Sequence, residues 1–217
     1  MAGARVSQQE AIARAAALPP PARDGVAFIG VDGFGASGKS TFARRLAAQL
    51  PGSRIVHIDD FAAPGVPEWD WSRFREQVLV PLLAGRKAHY LRWDWHRDEA
   101  VGWREIPPGR TVVVEGVSST RRETGAPWAL TVWVDAPAEV RLARIRQRDG
   151  ERLLPTWLNR WIPEENAWAA HAKPLDHVDL VVSGTEPDPA SGVGGRWQGA
   201  RHARDVRRAG GAAGPAG

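Results

Sequence analysis

The sequence predicts an α/β domain in which a parallel β-sheet is covered by helices on both faces. Several short apolar runs lack the polar alternation of a half-exposed strand, and such runs are typical of strands buried on both faces. Segments with the apolar spacing of helices separate these runs. A glycine-rich turn joins the first run to the first of these helices. Alternating strands and helices of this kind indicate a parallel sheet.

The predicted elements follow one another through a single domain, 25–185. Strands are expected at five apolar runs: 26–31, 54–58, 111–114, 130–134 and 178–182. Helices are expected over 39–50, 72–83, 137–148 and 155–171, with Ser72 as an N-cap and Gly150 ending the third helix. Residues 1–24 are expected to form a short amphipathic helix and a Pro-rich joint. The Gly-, Ala-, Pro- and Arg-rich tail, 186–217, is expected to be disordered.

Composition narrows the class of protein. The 217 residues include no cysteine, which excludes a disulfide scaffold and a Cys-ligated zinc site. No apolar run approaches the roughly 18 residues that cross a membrane, and Arg14 interrupts the Ala-rich N-terminal stretch, so we expect a cytoplasmic protein without a membrane partner. The tail sets five arginines against three acids and so carries half of the net charge of +4. A nucleic-acid partner is therefore not favoured, while a homo-oligomer stays open.

The turn after the first strand carries the sequence GFGASGKS, which fits the P-loop or Walker A pattern G-x-x-x-x-G-K-[ST]. The backbone N–H groups of such a loop surround a nucleotide phosphate, and the helix N-terminus adds partial positive charge. We expect Lys39 to reach the β- and γ-phosphates of ATP as a catalytic group, and the Ser40 hydroxyl to bind Mg²⁺. The predicted ATP-binding residues are Gly33, Gly35, Ala36, Ser37, Gly38, Lys39, Ser40 and Thr41. The same glycines also fit a dinucleotide fingerprint, but the Lys-Ser pair favours the P-loop.

Acidic residues follow two of the predicted strands. Asp59 and Asp60 end the second strand, and Glu115 ends the third in a Walker B-like pattern. In a parallel sheet this edge opens onto the ligand crevice. We expect Asp59 to accept the proton of an attacking hydroxyl and to help hold Mg²⁺. Glu115 is expected to orient the same ion, and Asp60 to cap the next segment.

Arginines recur on the helix that precedes Gly150. Arg141, Arg144 and Arg148 share one face of it, and Arg152 follows. Arginines on a closing lid stabilise the charge that phosphoryl transfer spreads over oxygen. We expect a short lid with Gly150 as its hinge, Arg148 as a catalytic group, and ATP contacts from Arg144 and Arg152. The alternative is a solvated charged face.

Taken in order, the segments GFGASGKS, HIDDF, WDWH, VVVEGV and DAPAEVRLARIRQRD resemble the uridine kinase group of P-loop kinases, which includes phosphoribulokinase and pantothenate kinase. The resemblance covers about residues 25–184. It implies that Asp59 is the base for a nucleoside 5′-hydroxyl, that Ser40 and Glu115 handle Mg²⁺, and that the arginines contact ATP. It also implies an acceptor pocket with Phe61, Trp93, Asp94 and His96. Trp93 stands where the group usually has tyrosine.

Three functions remain open from the sequence. The first is a kinase for a nucleoside such as uridine or cytidine, using ATP and Mg²⁺. The second is a P-loop kinase for another small hydroxyl acceptor, such as a vitamin or a sugar. The third is a nucleotide-binding regulatory protein without acceptor turnover, although such a protein has less need of Asp59. The eleven tryptophans either fill the core or stack on a nucleobase.

Overall fold

The computed structural model describes residues 3–63, 69–94, 97 and 99–186, and all of these belong to one compact unit. The predicted disordered tail lies outside these ranges except for Glu186, and His96 of the predicted acceptor pocket also lies outside them.

Six strands form one parallel sheet. In chain order the strands of the described residues are β1 (Ala4–Arg5), β2 (Val26–Asp32), β3 (Arg54–His57), β4 (Ala88–Asp94), β5 (Glu99–Ile106), β6 (Arg110–Glu115), β7 (Trp128–Asp135) and β8 (Leu180–Ser183). The order in the sheet is β1-β8-β7-β2-β6-β3, and every neighbouring pair is parallel. The predicted fold class, a parallel sheet in a single domain, is confirmed.

Helices connect the strands. They are α1 (Gln8–Ala16), α2 (Lys39–Ala48), α3 (Trp71–Phe74), α4 (Val80–Leu83), α5 (Ala138–Thr156) and α6 (Ile162–Ala172). A π-helical turn, Arg75–Leu79, joins α3 to α4, and a second one, Trp157–Trp161, joins α5 to α6. The N-cap of α3 is Asp70, which accepts a 2.9 Å hydrogen bond from Arg73 N–H. The expectation that Ser72 caps this helix is therefore wrong, because the turn begins two residues earlier.

Successive residues of the strands face two separate hydrophobic cores. On one face, Ile29 and Val113 pack against α1 and α2; on the other, Phe28 and Val112 pack against α3, its π-helical turn and α4. Each of these four side chains is fully buried. A strand with apolar residues on both faces can sit only between two helical layers, so the continuous apolar runs are explained.

Two parts of the architecture were not predicted. The N-terminal segment joins the main sheet, since β1 pairs with β8 and Ala11 of α1 is buried in the first core. A two-stranded antiparallel hairpin, β4–β5, stands apart from the main sheet. Within the part of the chain that the structure describes, no helix is both long and apolar enough to cross a membrane.

Candidate active site

The phosphate-binding loop turns sharply between β2 and α2. Ala36 and Gly38 both have a left-handed backbone, with φ of 59° and 101°, and α2 begins at Lys39. The Lys39 side chain is nine-tenths buried, and its Nζ donates a 3.3 Å hydrogen bond to the Phe34 carbonyl across the loop. The loop thus adopts the strand–turn–helix arrangement that the P-loop pattern requires.

A cleft of about 620 Å³ opens above this loop. Gly35, Ala36, Lys39 and Ser40 line one part of it. The other predicted loop residues lie away from its surface: Gly33, Ser37, Gly38 and Thr41. Gly33 and Ser37 are buried within the turn, and Thr41 is exposed beside Arg44, 3.2 Å from it.

Asp59 and Glu115 line the same cleft. Glu115 is the last residue of β6, and Asp59 follows the carboxyl end of the neighbouring strand β3, whose His57 lies opposite Glu115. The structure therefore brings together the two predicted metal-binding carboxylates with Lys39 and Ser40.

Glu115 is the centre of a short polar chain. Its Oε1 accepts a 2.8 Å hydrogen bond from the Ser40 hydroxyl, and its Oε2 lies 2.7 Å from His57 Nδ1. Although burial would raise the pKa of Glu115, the hydrogen bond to His57 and the charge of Lys39 lower it. The same hydrogen bond raises the pKa of His57. His57 was not among the predicted site residues, although it stands two positions before Asp59 in the motif HIDDF.

Asp59 is exposed on the cleft surface, although the surrounding protein displaces part of the water around its carboxylate. This partial loss of water raises the pKa of Asp59, and the nearby charge of Glu115 raises it further. A carboxylate with a raised pKa accepts a proton more readily near neutral pH.

A cation at this point would need ligands beyond the protein. Among the described residues, no three His, Cys, Asp or Glu side chains cluster in a way that could hold a metal ion. The Ser40 hydroxyl, held 2.8 Å from Glu115, is nevertheless a hard oxygen donor of the kind that Mg²⁺ prefers. The residues fit a magnesium ion that takes its remaining ligands from phosphate and water.

The three predicted lid arginines have different surroundings. Arg148 lines the cleft and forms a two-point contact of 2.8 Å with each carboxylate oxygen of Asp149. Arg144 donates to backbone carbonyls, including those of Ala36 and Ser37 at 3.1 Å each, and so braces the phosphate loop from below. Arg152 is exposed and does not line the cleft. ATP contacts for Arg144 and Arg152 stay predictions.

The segment after Gly150 covers the loop. Gly35 N–H donates a 3.0 Å hydrogen bond to Glu165 of α6. A Cβ at Gly35 would lie 2.6 Å from the Trp157 ring and 2.8 Å from the Glu165 carboxylate, so Gly35 is required by this close packing. Sequence reasoning predicted a helix here but not Glu165, which lies 130 residues from its partner.

Tryptophan side chains line the cleft on two sides. Trp69 and Trp93 line it on the predicted acceptor side, and Trp157, Trp161 and Trp168 line it on the α5–α6 side. Asp94 ends β4 and accepts a hydrogen bond from Arg97 N–H. Phe61 is fully buried and stacks on Tyr90, with ring centroids 5.3 Å apart. Phe61 thus packs in the core beside the cleft, and the expected contact with the acceptor stays a prediction.

Comparison with known proteins places this site in a family. Residues 29–155, which include the phosphate loop, Asp59, Glu115 and the helix with Arg148, match the sequence model of the AAA domain family AAA_18. The chain belongs to this AAA domain family. Because the match begins in β2 and ends in α5, the AAA domain contains the edge of the sheet at which the cleft opens.

Solved structures share the fold of this AAA domain protein. A possible uridine kinase from Bacillus stearothermophilus is 19% identical, with a TM-score of 0.62, and the comparison covers 81% of this chain and 96% of that one. A candidate fructose transport system kinase from Silicibacter sp. TM1040 is 24% identical, with a TM-score of 0.54 and the same coverage. The predicted resemblance to uridine kinase-like P-loop kinases is confirmed at the level of the fold.

One curated relative is matched over a shorter stretch. Inorganic pyrophosphatase TTM2 of Arabidopsis thaliana is 26% identical over an alignment of 120 residues, and the match covers 49% of this chain and 17% of that protein. The chain therefore corresponds to only a small part of that relative.

Proposed function

We propose that this protein is an ATP-dependent kinase that phosphorylates a small-molecule hydroxyl, and that the acceptor is a nucleoside such as uridine or cytidine. The observation that carries the proposal is that Asp59 opens onto the same cleft as Lys39 and Ser40. A phosphate loop alone serves many nucleotide-binding proteins. A carboxylate on the same cleft, with a raised pKa, can accept the proton of a hydroxyl acceptor.

The proposed reaction assigns a role to each group. The acceptor hydroxyl loses its proton to the Asp59 carboxylate as its oxygen bonds to the γ-phosphorus of ATP, and the bond from that phosphorus to the β–γ bridging oxygen breaks to release ADP. Lys39 stabilises the negative charge that develops on the phosphate oxygens. Arg148 adds positive charge from the edge of the cleft once nucleotide competes for its contact with Asp149.

Magnesium would be held by Ser40 and, through water, by Glu115 and Asp59. When bound, it supplies charge neutralisation at the β- and γ-phosphate oxygens. The His57–Glu115 hydrogen bond keeps Glu115 ionised and oriented, because it lowers the pKa of that carboxyl. His57, which does not line the cleft, therefore supports the metal-holding carboxylate.

The aromatic lining favours a planar acceptor. Trp69 and Trp93 lie with Ala62, Ala63 and Val117 on the cleft surface, and indole rings stack well on a nucleobase. The fold shared with a possible uridine kinase supports the same acceptor class.

A second acceptor class has its own support. The fold is also shared with a candidate fructose transport system kinase, so a sugar, or a vitamin with a primary hydroxyl, is the alternative acceptor.

The test measures ADP formation from Mg-ATP with a panel of nucleosides, sugars and hydroxylated vitamins, above an acceptor-free control. Lys39→Ala and Asp59→Asn should each abolish acceptor-dependent ADP formation. Asp135→Asn is the matched control, because Asp135 also ends a parallel strand but does not line the cleft. A nucleoside-dependent signal lost in both variants would establish the proposed function.

Two results would contradict it. Full activity of Asp59→Asn on a working acceptor would remove Asp59 as the base. ATP binding without turnover of any acceptor would favour the nucleotide-binding regulatory protein instead.

A further inference from the structure

Asp32 is a fully buried carboxylate at the end of β2, and the proposed reaction does not use it. Its Oδ1 accepts hydrogen bonds from Gly33 N–H at 2.7 Å and Ser118 N–H at 2.9 Å. Its Oδ2 accepts from Thr120 N–H at 2.9 Å and from the Thr120 hydroxyl at 2.7 Å. All four donors are uncharged, so these contacts that hold the carboxylate are hydrogen bonds and not ion pairs.

These donors come from two different segments. Gly33 is the first residue of the phosphate loop. Ser118 and Thr120 belong to the loop that follows β6 and Glu115, which we call the β6 loop (116–120). Two further hydrogen bonds join the β6 loop to the end of β2. Gly116 N–H and the Ser119 hydroxyl both donate to the Val31 carbonyl, at 3.2 and 3.1 Å. Asp32 is thus the side chain that joins the phosphate loop to the β6 loop.

The β6 loop continues directly into the cleft wall. Val117 and Ser118 line the cleft. The Val117 carbonyl accepts a 3.2 Å hydrogen bond from Trp69 Nε1, and Trp69 lines the same cleft on the acceptor side. A displacement of the β6 loop would therefore move an acceptor-side tryptophan relative to the phosphate loop.

The β6 loop needs an external support. Ser118 has a left-handed backbone with φ of 61°, which is unfavourable for a residue with a Cβ and persists only where the surroundings fix it. Asp32 holds Ser118 in this conformation by accepting the hydrogen bond from the Ser118 N–H. Burial raises the pKa of Asp32 to about 6, against the lowering effect of the Thr120 and Gly33 hydrogen bonds, so ionised Asp32 depends on these donors.

We propose that Asp32 is a positioning residue that sets the distance between the phosphate loop and the acceptor-side wall of the cleft, acting through the β6 loop and Trp69. Only the expected effect on the KM for the acceptor rests on the proposed function. The geometric consequence, that Asp32 fixes Trp69 through the β6 loop, holds for any ligand of the cleft.

Thr120→Val tests the proposal with little change of volume. It removes the 2.7 Å hydroxyl bond to Asp32 and leaves the backbone bonds. The matched control is Thr131→Val, because Thr131 also donates its N–H and its hydroxyl to one aspartate oxygen, Asp179 Oδ2, at 2.7 and 2.8 Å. That pair joins β7 to the start of β8 and does not line the cleft. Asp32→Asn changes the carboxylate itself, so it is the variant with the larger expected effect.

Three readouts are compared in the 217-residue protein. The first is amide hydrogen exchange over residues 116–120. The second is the indole N–H NMR signal of Trp69, assigned by its loss in Trp69→Phe. The third is the KM for the acceptor against the KM for ATP. We expect Thr120→Val to speed exchange, shift the Trp69 signal and raise the acceptor KM about tenfold, with a smaller change in the KM for ATP.

We expect Thr131→Val to lower the stability of the protein but to leave the hydrogen exchange of the β6 loop, the Trp69 signal and the acceptor KM unchanged. The proposal is overturned if Thr120→Val leaves the exchange and the Trp69 signal as in the wild type, or if Thr131→Val changes them equally. If the acceptor panel shows no turnover, the proposed function fails, while exchange and the Trp69 signal still decide the role of Asp32.

Discussion

The carboxylate of Glu165 accepts a 3.0 Å hydrogen bond from the backbone N–H of Gly35. Backbone amides of a phosphate loop are anion-binding donors, and here a side-chain anion of the same protein uses one of them. Glu165 is nine-tenths buried, Arg141 lies 3.9 Å away, and burial raises the pKa of the carboxyl. Nucleotide and Glu165 therefore compete for one part of the loop.

Removing the charge of Glu165 should strengthen nucleotide binding. We expect Glu165→Gln to lower the Kd for Mg-ATP by roughly three- to tenfold, because a like charge near the phosphates is lost. Isothermal titration calorimetry measures this. Glu164→Gln is the matched control, since Glu164 is exposed and already paired with Arg160 at 3.1 Å. Weaker binding in Glu165→Gln than in Glu164→Gln would show that Glu165 supports the loop when nucleotide is bound.

Alanine at Gly35 should push the covering segment away from the loop. The new Cβ would meet the Trp157 ring at 2.6 Å, a distance at which one of the two groups must move. We expect Gly35→Ala to lower the free energy of unfolding by about 1–3 kcal/mol, as overpacking does. Trp157→Leu removes the obstructing ring, so the double variant should lose less than the sum of the two single changes. Simple additivity in urea unfolding would contradict this contact.

The His57–Glu115 pair should make stability depend on pH. The folded-state pKa of His57 is raised above 6.5, so its contribution is complete below that value and is lost as the pH rises through the folded pKa. The pKa of Glu115 is lowered, so its contribution is present above about pH 4.5 and is lost as the pH falls through the folded value. The pair thus contributes most between about pH 5 and 6.5.

Urea unfolding of His57→Gln tests this dependence. The loss of stability relative to the wild type should be larger near pH 6 than near pH 9. His171→Gln, at an exposed position near the end of α6, is the control for loss of an imidazole that does not contact Glu115. An equal loss for His57→Gln at the two pH values would mean that the hydrogen bond does not depend on the imidazolium.

The kink in α5 should tolerate only glycine. Gly150 has φ of 71° and ψ of 176°, a region that residues with a Cβ rarely adopt. A Cβ there meets no atom within 4 Å, so the cost comes from the backbone alone. We expect Gly150→Ala to lower the free energy of unfolding by about 1–3 kcal/mol. Gly125→Ala, at φ 65° and ψ 18°, is the reference at an ordinary left-handed position and should cost less.

Much of the sheet could be predicted from sequence because its strands are buried on both faces. Phe28 and Ile29 belong to opposite cores, and this produces an unbroken apolar run. The phosphate loop, Asp59 and Glu115 follow those runs directly, so their convergence on one edge follows from the parallel sheet.

The remaining features depend on contacts that sequence spacing does not reveal. Strand β5 is exposed along most of its length, so it lacks an apolar pattern, and the hairpin was missed. Asp32 and Glu165 each act through partners far away in the chain. Phe61 stands beside the acids of HIDDF, and only the packing against Tyr90 shows that it faces the core.

The pairing of β1 with β8 has a consequence for how the chain is made. Ala4 lies beside Leu180, so β1, which precedes the other strands of this sheet in the chain, cannot find its neighbour until nearly the whole sheet has been synthesised. Until then β1 is unpaired and β7 forms an open edge, which is the kind of surface on which nascent chains associate. Completion of the sheet is therefore a late, non-local event, and Arg5 and Asp135, which pair at 3.4 Å across this edge, meet only at that stage.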